Sequence, residues 1–287
     1  MTSGFTPSDQ AQGLRELVRR RRRGGSTVAI TSGKGGVGKT SIAVNLSVWL
    51  ASKGVRVTLV DVDLGLANAD ILLNIRPRYT LAHVLSGHRT IEEIVMDGPG
   101  GLRFIPGASG VQEVADLSDF DRQTFINQLA RLRINTDITV LDCGAGLSRS
   151  ILSFARSADR VVVVTTPEPP AVTDAYATIK ALYQEHGTPP VGLFVNRAET
   201  RAMAEATFDR IAGVAHRFLK KSVANQGFML QDRVVEAAVM ARRPFVISDP
   251  ASPASACIAA LANTIVRTSS KEDRSGGWFR RVAGLFV

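Results

Sequence analysis

The sequence predicts an α/β fold built on a doubly wound, mostly parallel β-sheet. Apolar segments rich in β-branched residues alternate along the chain with segments whose apolar residues recur at helical spacing. Strands that are apolar throughout belong to a sheet covered on both faces, which is typical of parallel sheets. No internal repeat and no second core is evident. We therefore expect one domain over residues 26–268, with a short tail at each end.

The first unit of this domain is a strand, a loop and a helix. TVAITSG is the strand, in which β-branched residues run into glycine. SIAVNLSVWLASKG repeats apolar residues at helical spacing and stops at Gly54. VRVTLVDVD is then a second strand that ends on carboxylates.

The later elements follow the same alternation. Further strands are expected at TDITVLD (136–142), RVVVVTT (160–166) and VGLFVN (191–196), with helical patterns such as AVTDAYATIKALYQEHG between them. The segment FLKKSVANQGF (218–228) departs from a smooth apolar strand, which leaves the last strand and its contacts open.

Composition limits the classes of protein that the chain can belong to. The 287 residues are 45% hydrophobic, which is ample for a large core, and no run of 18 apolar residues suggests a membrane span. The N-terminus has no apolar signal region, so we expect a cytoplasmic protein. Cys143 and Cys257 stand alone, which argues against a cysteine metal site, an iron–sulfur cluster or a disulfide scaffold.

The net charge of +9 is concentrated in the tails. Residues 1–25 contain six arginines against two acidic residues, and residues 271–287 contain four basic against two acidic residues. The domain between the tails is only weakly basic, so any function of the positive charge belongs to the tails.

A glycine-rich loop after the first strand predicts a phosphate site. The stretch 33–40 fits GxxxxGK[ST] between a strand and a helix, where backbone N–H groups and the helix dipole hold phosphates. Lys39 would reach the β- and γ-phosphates, and the Thr40 hydroxyl would bind Mg²⁺. The alternative is a plain glycine turn. The predicted nucleotide-binding residues of the loop are Gly33, Lys34, Gly35, Gly36, Val37, Gly38, Lys39, Thr40 and Ser41.

Three aspartates stand where a P-loop enzyme needs carboxylates. Asp61 and Asp63 end the second strand, and Asp142 ends TDITVLD. The carboxyl ends of strands beside the loop are where a metal ligand and a water-orienting group are expected. Such aspartates also occur as turn formers or N-caps, and taken singly each could be one.

KGGVGKT, followed by DVDLGLANAD and DCGAG, resembles the deviant-Walker-A ATPases, the class of MinD, ParA and the nitrogenase iron protein. The resemblance covers the whole body and implies a P-loop NTPase of the MinD/ParA (SIMIBI) type that uses ATP and Mg²⁺. It also implies a homodimer when ATP is bound, in which Lys34 of each chain touches the phosphates of the other. In the alternative, Lys34 merely adds local positive potential.

The same resemblance assigns roles to individual residues. The catalytic set becomes Lys34, Lys39 and Asp63, with Asp63 positioning the attacking water. Asp61 and Asp142 become outer-sphere Mg²⁺ carboxylates, and DCGAG the second switch. Asn196 falls where the family reads the adenine edge, although an Asn at a strand end is also a routine turn residue. Asp232 could contact the base, but the N-cap of the following helix is the favoured interpretation.

The C-terminal segment 269–287 predicts a linker and a membrane-binding helix. In GGWFRRVAGLFV, apolar residues share one face of a helical wheel and arginines lie on the other, as in helices that lie in a membrane interface. The alternative is a helix docked on the protein's own core. The predicted membrane residues are Trp278, Phe279, Arg280, Arg281, Val282, Leu285 and Phe286.

The N-terminal segment 1–25 predicts a partner-binding arm. Thr6, Pro7 and Asp9 suit the start of a short helix that is marginal by itself because of Gly13. The spacing DQAxxLR resembles the activator motif of the FlhG-type, MinD-like ATPases of flagellar assembly. It implies docking on the GTPase FlhF, where Gln10 would orient water; the alternative is a disordered basic leader. The predicted partner-binding residues are Asp9, Gln10, Ala11, Leu14 and Arg15.

Taken together, the sequence predicts a slow ATPase switch that controls flagellar number or placement. It would cycle between the cytoplasm and the inner face of the cell membrane, where the ATP dimer would bind an anionic surface. FlhF and the flagellar switch-complex (C-ring) proteins are the expected partners. One alternative is a septum-site MinD relative. The other is a partition ATPase that holds nucleic acid with Arg19–Arg23, although the weakly basic body argues against specific nucleic-acid binding.

Overall fold

A computed structural model describes residues 25–63, 67–107, 136–184 and 187–269. The predicted N-terminal arm and the predicted C-terminal membrane helix lie outside these residues. In the described part, eight strands form one sheet. The strands are β1 (Ser26–Ser32), β2 (Val57–Val62), β3 (Met96–Asp97), β4 (Arg103–Ile105), β5 (Ile138–Ala145), β6 (Arg160–Thr165), β7 (Val191–Ala198) and β8 (Ala224–Leu230).

Helices connect these strands and cover the sheet. The α-helices of the described ranges are α1 (Lys39–Ser52), α2 (Ala69–Leu73), α3 (Leu81–Leu85), α4 (Ile91–Ile94), α5 (Arg149–Ser157), α6 (Pro169–Tyr183), α7 (Arg201–Leu219), α8 (Arg233–Met240), α9 (Phe245–Ser248) and α10 (Pro253–Ser269). In these ranges no helix is both long and apolar enough to cross a bilayer.

The strand order is β3-β4-β2-β5-β1-β6-β7-β8, which confirms the predicted doubly wound sheet. Neighbouring strands pair in parallel except for the short β3, which runs antiparallel to β4 at one edge. β1 lies between β5 and β6, so the loop that follows it opens where the strand order reverses. That crevice is where open α/β sheets bind ligands.

The strands are buried on both faces. Along β1, Val28 and Ile30 contact one apolar cluster, and Ala29 between them contacts the other. The first cluster includes α1 and α10, and the second includes α5, α6 and part of α7. This alternation is why the sequence of β1 is apolar throughout rather than at every second residue.

Two strands extend further than the sequence predicts. β5 continues to Ala145, so Asp142 lies inside the strand and not at its end. Pairing with β2 and β1 extends it, because Cys143 pairs with Val62 and Ala145 with Ser32. β7 likewise continues two residues beyond Asn196, to Ala198.

The ambiguous segment 218–228 contains the end of α7 and the start of an edge strand. β8 begins at Ala224, and its residues alternate irregularly between exposed and buried positions. Because only β7 pairs with it, β8 does not need the continuous apolar sequence of a central strand.

Candidate nucleotide site

The loop between β1 and α1 depends on glycine for its backbone. Gly36 and Gly38 have φ angles of 79° and 90°, in the left-handed region that glycine adopts without strain. At Gly33 a Cβ atom would lie 2.2 Å from the backbone oxygen of Asp174 in α6. The backbone angles at Gly36 and Gly38 and the close approach at Gly33 therefore favour glycine at these three positions.

The amino end of α1 suits an anion. Gly38 is its N-cap residue and has no side chain to accept from the first-turn N–H groups, and the first turn contains no acidic residue. These N–H groups and the helix dipole face a cleft of about 740 Å³ lined by the loop, Thr40 and Asp63. The arrangement fits a phosphate chain.

Lys39 lies at the centre of the buried charges. Its Nζ is 2.9 Å from Asp142 Oδ1 and 3.9 Å from Asp63 Oδ2, and it donates to Thr40 Oγ1 at 3.2 Å. Burial lowers the pKa of Lys39, but the attraction of Asp142 and then of Asp63 outweighs it and leaves that pKa raised. The ammonium group is therefore charged at neutral pH. These contacts bring four of the predicted site residues together.

Asp61 is buried among backbone donors. Its Oδ1 accepts from the N–H of Asp63 at 3.0 Å, and its Oδ2 accepts from the N–H groups of Asn68 and Ala69 at 3.2 Å each. Burial and then the nearby charge of Asp142 raise the pKa of Asp61 to about 7, although the backbone donors oppose the rise. Asp61 is thus a carboxyl group that a nearby cation would readily ionise.

The carboxylates also fit a magnesium ion. Asp142 Oδ2 is buried and has no hydrogen-bond partner among the described residues, so this oxygen can accept from a metal-bound water. The Thr40 hydroxyl, the predicted metal ligand, and Asp142 Oδ1 both accept from the Lys39 ammonium group, so Thr40 lies close to Asp142. Hard oxygen donors of this kind are the ligands that Mg²⁺ prefers.

Lys34, the second lysine of the loop, lies apart from this cluster. Its Nζ is 3.2 Å from Glu168 Oε2 at the start of α6, and the two side chains are 42% and 61% exposed. Lys39 thus neutralises the carboxylates of the site, whereas Lys34 points along the protein surface. The contact of Lys34 with the phosphates of the other chain stays a prediction.

Asn196 contacts the phosphate loop. It is 3% exposed, its Nδ2 donates to the Val37 carbonyl at 2.7 Å, and its Oδ1 accepts from the N–H of Arg197 at 2.9 Å. The predicted adenine contact would have to use the remaining hydrogen and lone pair of this amide, and it stays a prediction.

Arg197 is a residue of the site that the sequence did not predict. Its Nη1 donates to the Gly36 carbonyl at 2.9 Å, and the residue lines the same cleft. The only signal was its position one residue after Asn196, near the carboxyl end of a strand.

The remaining predicted residues fall into two groups. Asp232 is the N-cap of α8, since its Oδ1 accepts from the N–H of Val234 at 2.9 Å, and the favoured interpretation of this residue is confirmed. The predicted partner-binding residues (9–15) and the predicted membrane residues (278–286) lie outside the described part of the chain.

Similarity to known proteins agrees with this geometry. A protein-family model described as an AAA domain matches residues 25–187. The antiactivator FleN of Pseudomonas aeruginosa is 39% identical over 238 residues, which cover 83% of this chain and 85% of FleN. The chain belongs to the MinD/ParA family of ATPases. It is therefore an ATP hydrolase with the fold that the sequence predicts.

Two further relatives of this MinD/ParA member stand out. The flagellum site-determining protein YlxH of Helicobacter pylori is 37% identical over 189 residues, covering 66% of this chain and 63% of YlxH. The septum site-determining protein MinD of Pyrococcus horikoshii, solved in complex with Mg-ADP, is 25% identical with a TM-score of 0.71. That match covers 85% of this chain and 97% of that MinD.

Proposed function

We propose that this chain is an ATP-driven switch that regulates the number or placement of flagella. Its ATP form would be a homodimer on the inner face of the cell membrane, and its ADP form a cytoplasmic monomer. YlxH is named a flagellum site-determining protein, and this similarity supports a flagellar role. FleN is named an antiactivator, which supports a regulatory role. The Mg-ADP bound by P. horikoshii MinD supports ATP, ADP and Mg²⁺ as the ligands.

The chemistry follows from the arrangement of the site. Backbone N–H groups of the loop hold the phosphates, and Lys39 balances their charge. Thr40 would bind the magnesium ion directly, and Asp61 and Asp142 would bind it through water. The ion would neutralise the charge that develops on the β- and γ-phosphates. Asp63 lines the cleft beside them and orients the attacking water. The phosphates of ATP compete with Asp142 and Asp63 for the ammonium group of Lys39, so ATP binding changes the partners of this lysine.

The observation that carries the dimer proposal is the separation of the two lysines. Lys39 is engaged with the buried carboxylate of Asp142, whereas Lys34 is exposed on the surface beside Glu168. Two facing nucleotide triphosphates repel each other unless cations lie between them. A lysine at the rim of each site can supply that charge to the other chain.

Substitution of each lysine tests this division of roles. We expect Lys39→Ala to lose ATP binding, and Lys34→Ala to bind ATP as a monomer with little turnover. Lys53→Ala, at the end of α1, is the control and should bind, dimerise and hydrolyse as the wild type does. Equilibrium binding of a fluorescent ATP analogue and size-exclusion mass measurement separate these outcomes. An ATP-bound dimer of Lys34→Ala would contradict the proposed role of Lys34.

The N-terminal arm is proposed to activate FlhF. Its support is the DQAxxLR spacing of residues 9–15. Deletion of residues 1–20 should abolish stimulation of FlhF GTP hydrolysis and leave ATP-dependent dimerisation intact. Gln10→Ala should reproduce the loss of stimulation. Stimulation that survives the deletion would exclude the arm as the activator.

The C-terminal segment is proposed to anchor the dimer. One short helix binds a membrane weakly, so two helices on one dimer would couple ATP binding to membrane binding by avidity. Deletion of residues 276–287 should abolish co-sedimentation with phosphatidylglycerol-containing vesicles in the presence of ATP. Unchanged sedimentation of the truncated protein would contradict the anchor.

An exposed aromatic residue marks a candidate surface for the switch-complex proteins. Phe218, near the end of α7, is 66% exposed, and the Arg217 guanidinium lies 5.5 Å from its ring centre. Lys220 and Lys221 follow after Leu219, and the Lys221 ammonium group lies 5.6 Å from the centre of the Tyr183 ring. Aromatic and arginine side chains that are exposed together are common in binding sites for proteins.

This surface can be tested with purified switch-complex proteins. Phe218→Ser should weaken their binding at least about tenfold, as loss of a central interface residue does. Met240→Ser, which changes an 85% exposed apolar residue at the end of α8, is the matched control. Equal binding by both variants would contradict the choice of surface.

A septum-site role is the second candidate, favoured by the similarity to P. horikoshii MinD. The two roles differ in the phenotype of a deletion strain. The flagellar proposal expects an abnormal number of flagella, restored by the wild-type gene and not by Lys39→Ala. Minicells with normal flagellation would instead support the septum-site role.

A further inference from the structure

Two adjacent residues of β7 hold two adjacent carbonyl groups of the phosphate loop. Asn196 Nδ2 donates to the Val37 carbonyl at 2.7 Å, and Arg197 Nη1 donates to the Gly36 carbonyl at 2.9 Å. These contacts join positions about 160 residues apart in sequence. They connect the loop after β1 to a strand that is not its neighbour in the sheet.

Because of the geometry of the peptide bond, these contacts also fix the direction of the N–H groups that bind phosphate. In a planar trans peptide, the carbonyl of one residue and the N–H of the next point in opposite directions. Fixing the Gly36 and Val37 carbonyls toward β7 therefore directs the N–H groups of Val37 and Gly38 away from β7. The N–H groups of such a loop are its phosphate ligands.

Arg197 adopts a backbone conformation that an arginine disfavours. Its φ angle is 55°, in the left-handed region, although it lies within a strand. The pairing of β7 with β8 is also irregular between Val195 and Ala198. A residue other than glycine persists in such a conformation only when its surroundings impose it, and such residues cluster at functional sites. Glycine would fit this backbone better, so the arginine side chain is what the position requires.

We propose that Arg197 is a positioning residue for nucleotide binding, which acts by orienting the peptide groups of the phosphate loop together with Asn196. The inference rests on the proposed binding of ATP at this loop. The guanidinium group suits the task because its donors are fixed in a planar fork. Asn196 supplies the second contact from a buried position, and Gly38 leaves the space that its amide needs.

The substitution Arg197→Gly separates this role from a purely structural one. It removes the guanidinium group and also relieves the left-handed backbone, so stability and binding should change in opposite directions. Arg242→Gly is the matched control, because Arg242 has a φ angle of 51° and does not line the nucleotide cleft. Both variants are made in the full-length chain.

The readouts are the melting temperature without nucleotide, the Kd for a fluorescent ATP analogue with Mg²⁺, and the amide resonances of Val37 and Gly38. For Arg197→Gly we expect a melting temperature at or above that of the wild type, a Kd raised about tenfold and shifted amide resonances. Arg242→Gly should match the wild type in Kd and resonances. Arg197→Lys should recover part of the affinity, since one ammonium donor can still reach a carbonyl.

Two results would overturn the proposal. One is wild-type affinity in Arg197→Gly. The other is an equal loss of affinity in Arg197→Gly and Arg242→Gly, which would indicate a general effect of glycine on the fold. Failure of the wild-type protein itself to bind the ATP analogue would contradict the proposed function instead, so the two failures are distinguishable.

Discussion

The two buried aspartates of the site have different partners. Asp142 is buried and bonded to Lys39, whereas Asp61 is buried among backbone donors and has no lysine within bonding distance in the contacts above. Burial is the main cause that raises the pKa of both carboxyl groups, and for Asp142 the charge of Lys39 is the first effect that opposes the rise.

The raised pKa of Asp61 predicts a pH-dependent stability. Its folded pKa of about 7 exceeds its ordinary value of 3.8, so the folded state binds this proton more tightly than the unfolded state does. The stabilisation is complete below about pH 4 and is lost as pH rises to about 7, up to about 4 kcal/mol in total.

Chemical unfolding without magnesium or nucleotide measures this effect. Between pH 4 and pH 7 the free energy of unfolding of the wild type should fall relative to that of Asp61→Asn, which cannot titrate there. Parallel curves for the two proteins over this range would show that Asp61 is not the titrating group.

Gly38 is predicted to be intolerant of any side chain. A Cβ there would meet Asn196 Nδ2 at 2.3 Å, and its φ of 90° costs an L-residue about 1–2 kcal/mol. Gly38→Ala should therefore lower the melting temperature and abolish ATP binding. Gly35→Ala, where a Cβ would meet no atom within 4 Å, serves as the stability control. Equal melting temperatures for the two variants would contradict the steric argument.

The sequence identifies the loop residues better than their long-range contacts. Lys39, Thr40 and the three aspartates are recognisable because they follow apolar strands or a glycine-rich stretch. Arg197 is not recognisable in this way, because its partner is a carbonyl that only the strand order brings near. A backbone φ of 55° within a strand also has no signature in the local residue types.

At the scale of elements, the five strands that the sequence predicts were located correctly, but two of them, β5 and β7, extend further than predicted. The sequence predicts that β5 ends at Asp142, yet the strand continues to Ala145 because β1 and β2 offer hydrogen-bonding partners there. Local propensity yields to pairing in such cases. The short β3 and β4 were not predicted, since two or three residues carry too little periodic pattern.

The start of α8 gives a prediction at this scale. Asp232 caps the helix through the N–H of Val234, and loss of an N-cap side chain costs about 1 kcal/mol. Asp232→Ala should lower the free energy of unfolding by that amount in urea titration. Asp232→Asn keeps a capping oxygen and should stay within about 0.5 kcal/mol of the wild type. Identical losses in both variants would mean that the cap does not contribute.

For the whole molecule, the sequence predicts the fold class and the family but not the strand order. Apolar strands alternating with helices are enough to predict a covered parallel sheet. The order that places β1 between β5 and β6 depends on contacts between distant segments, which local patterns do not encode. The tails carry the proposed functions of activation and membrane binding, and the proposed membrane binding depends on a change of oligomeric state in the ATPase domain.

The mass of the Asp63→Ala protein tests this central claim most directly. The substitution removes the carboxylate proposed to orient water and leaves the nucleotide contacts in place, so ATP should persist. Size-exclusion mass measurement with ATP or ADP, with and without anionic vesicles, should give a dimer with ATP and a monomer with ADP. Vesicles should bind only the dimer. A monomer under every condition would contradict the switch, and Lys34 would then serve only the phosphates of its own chain.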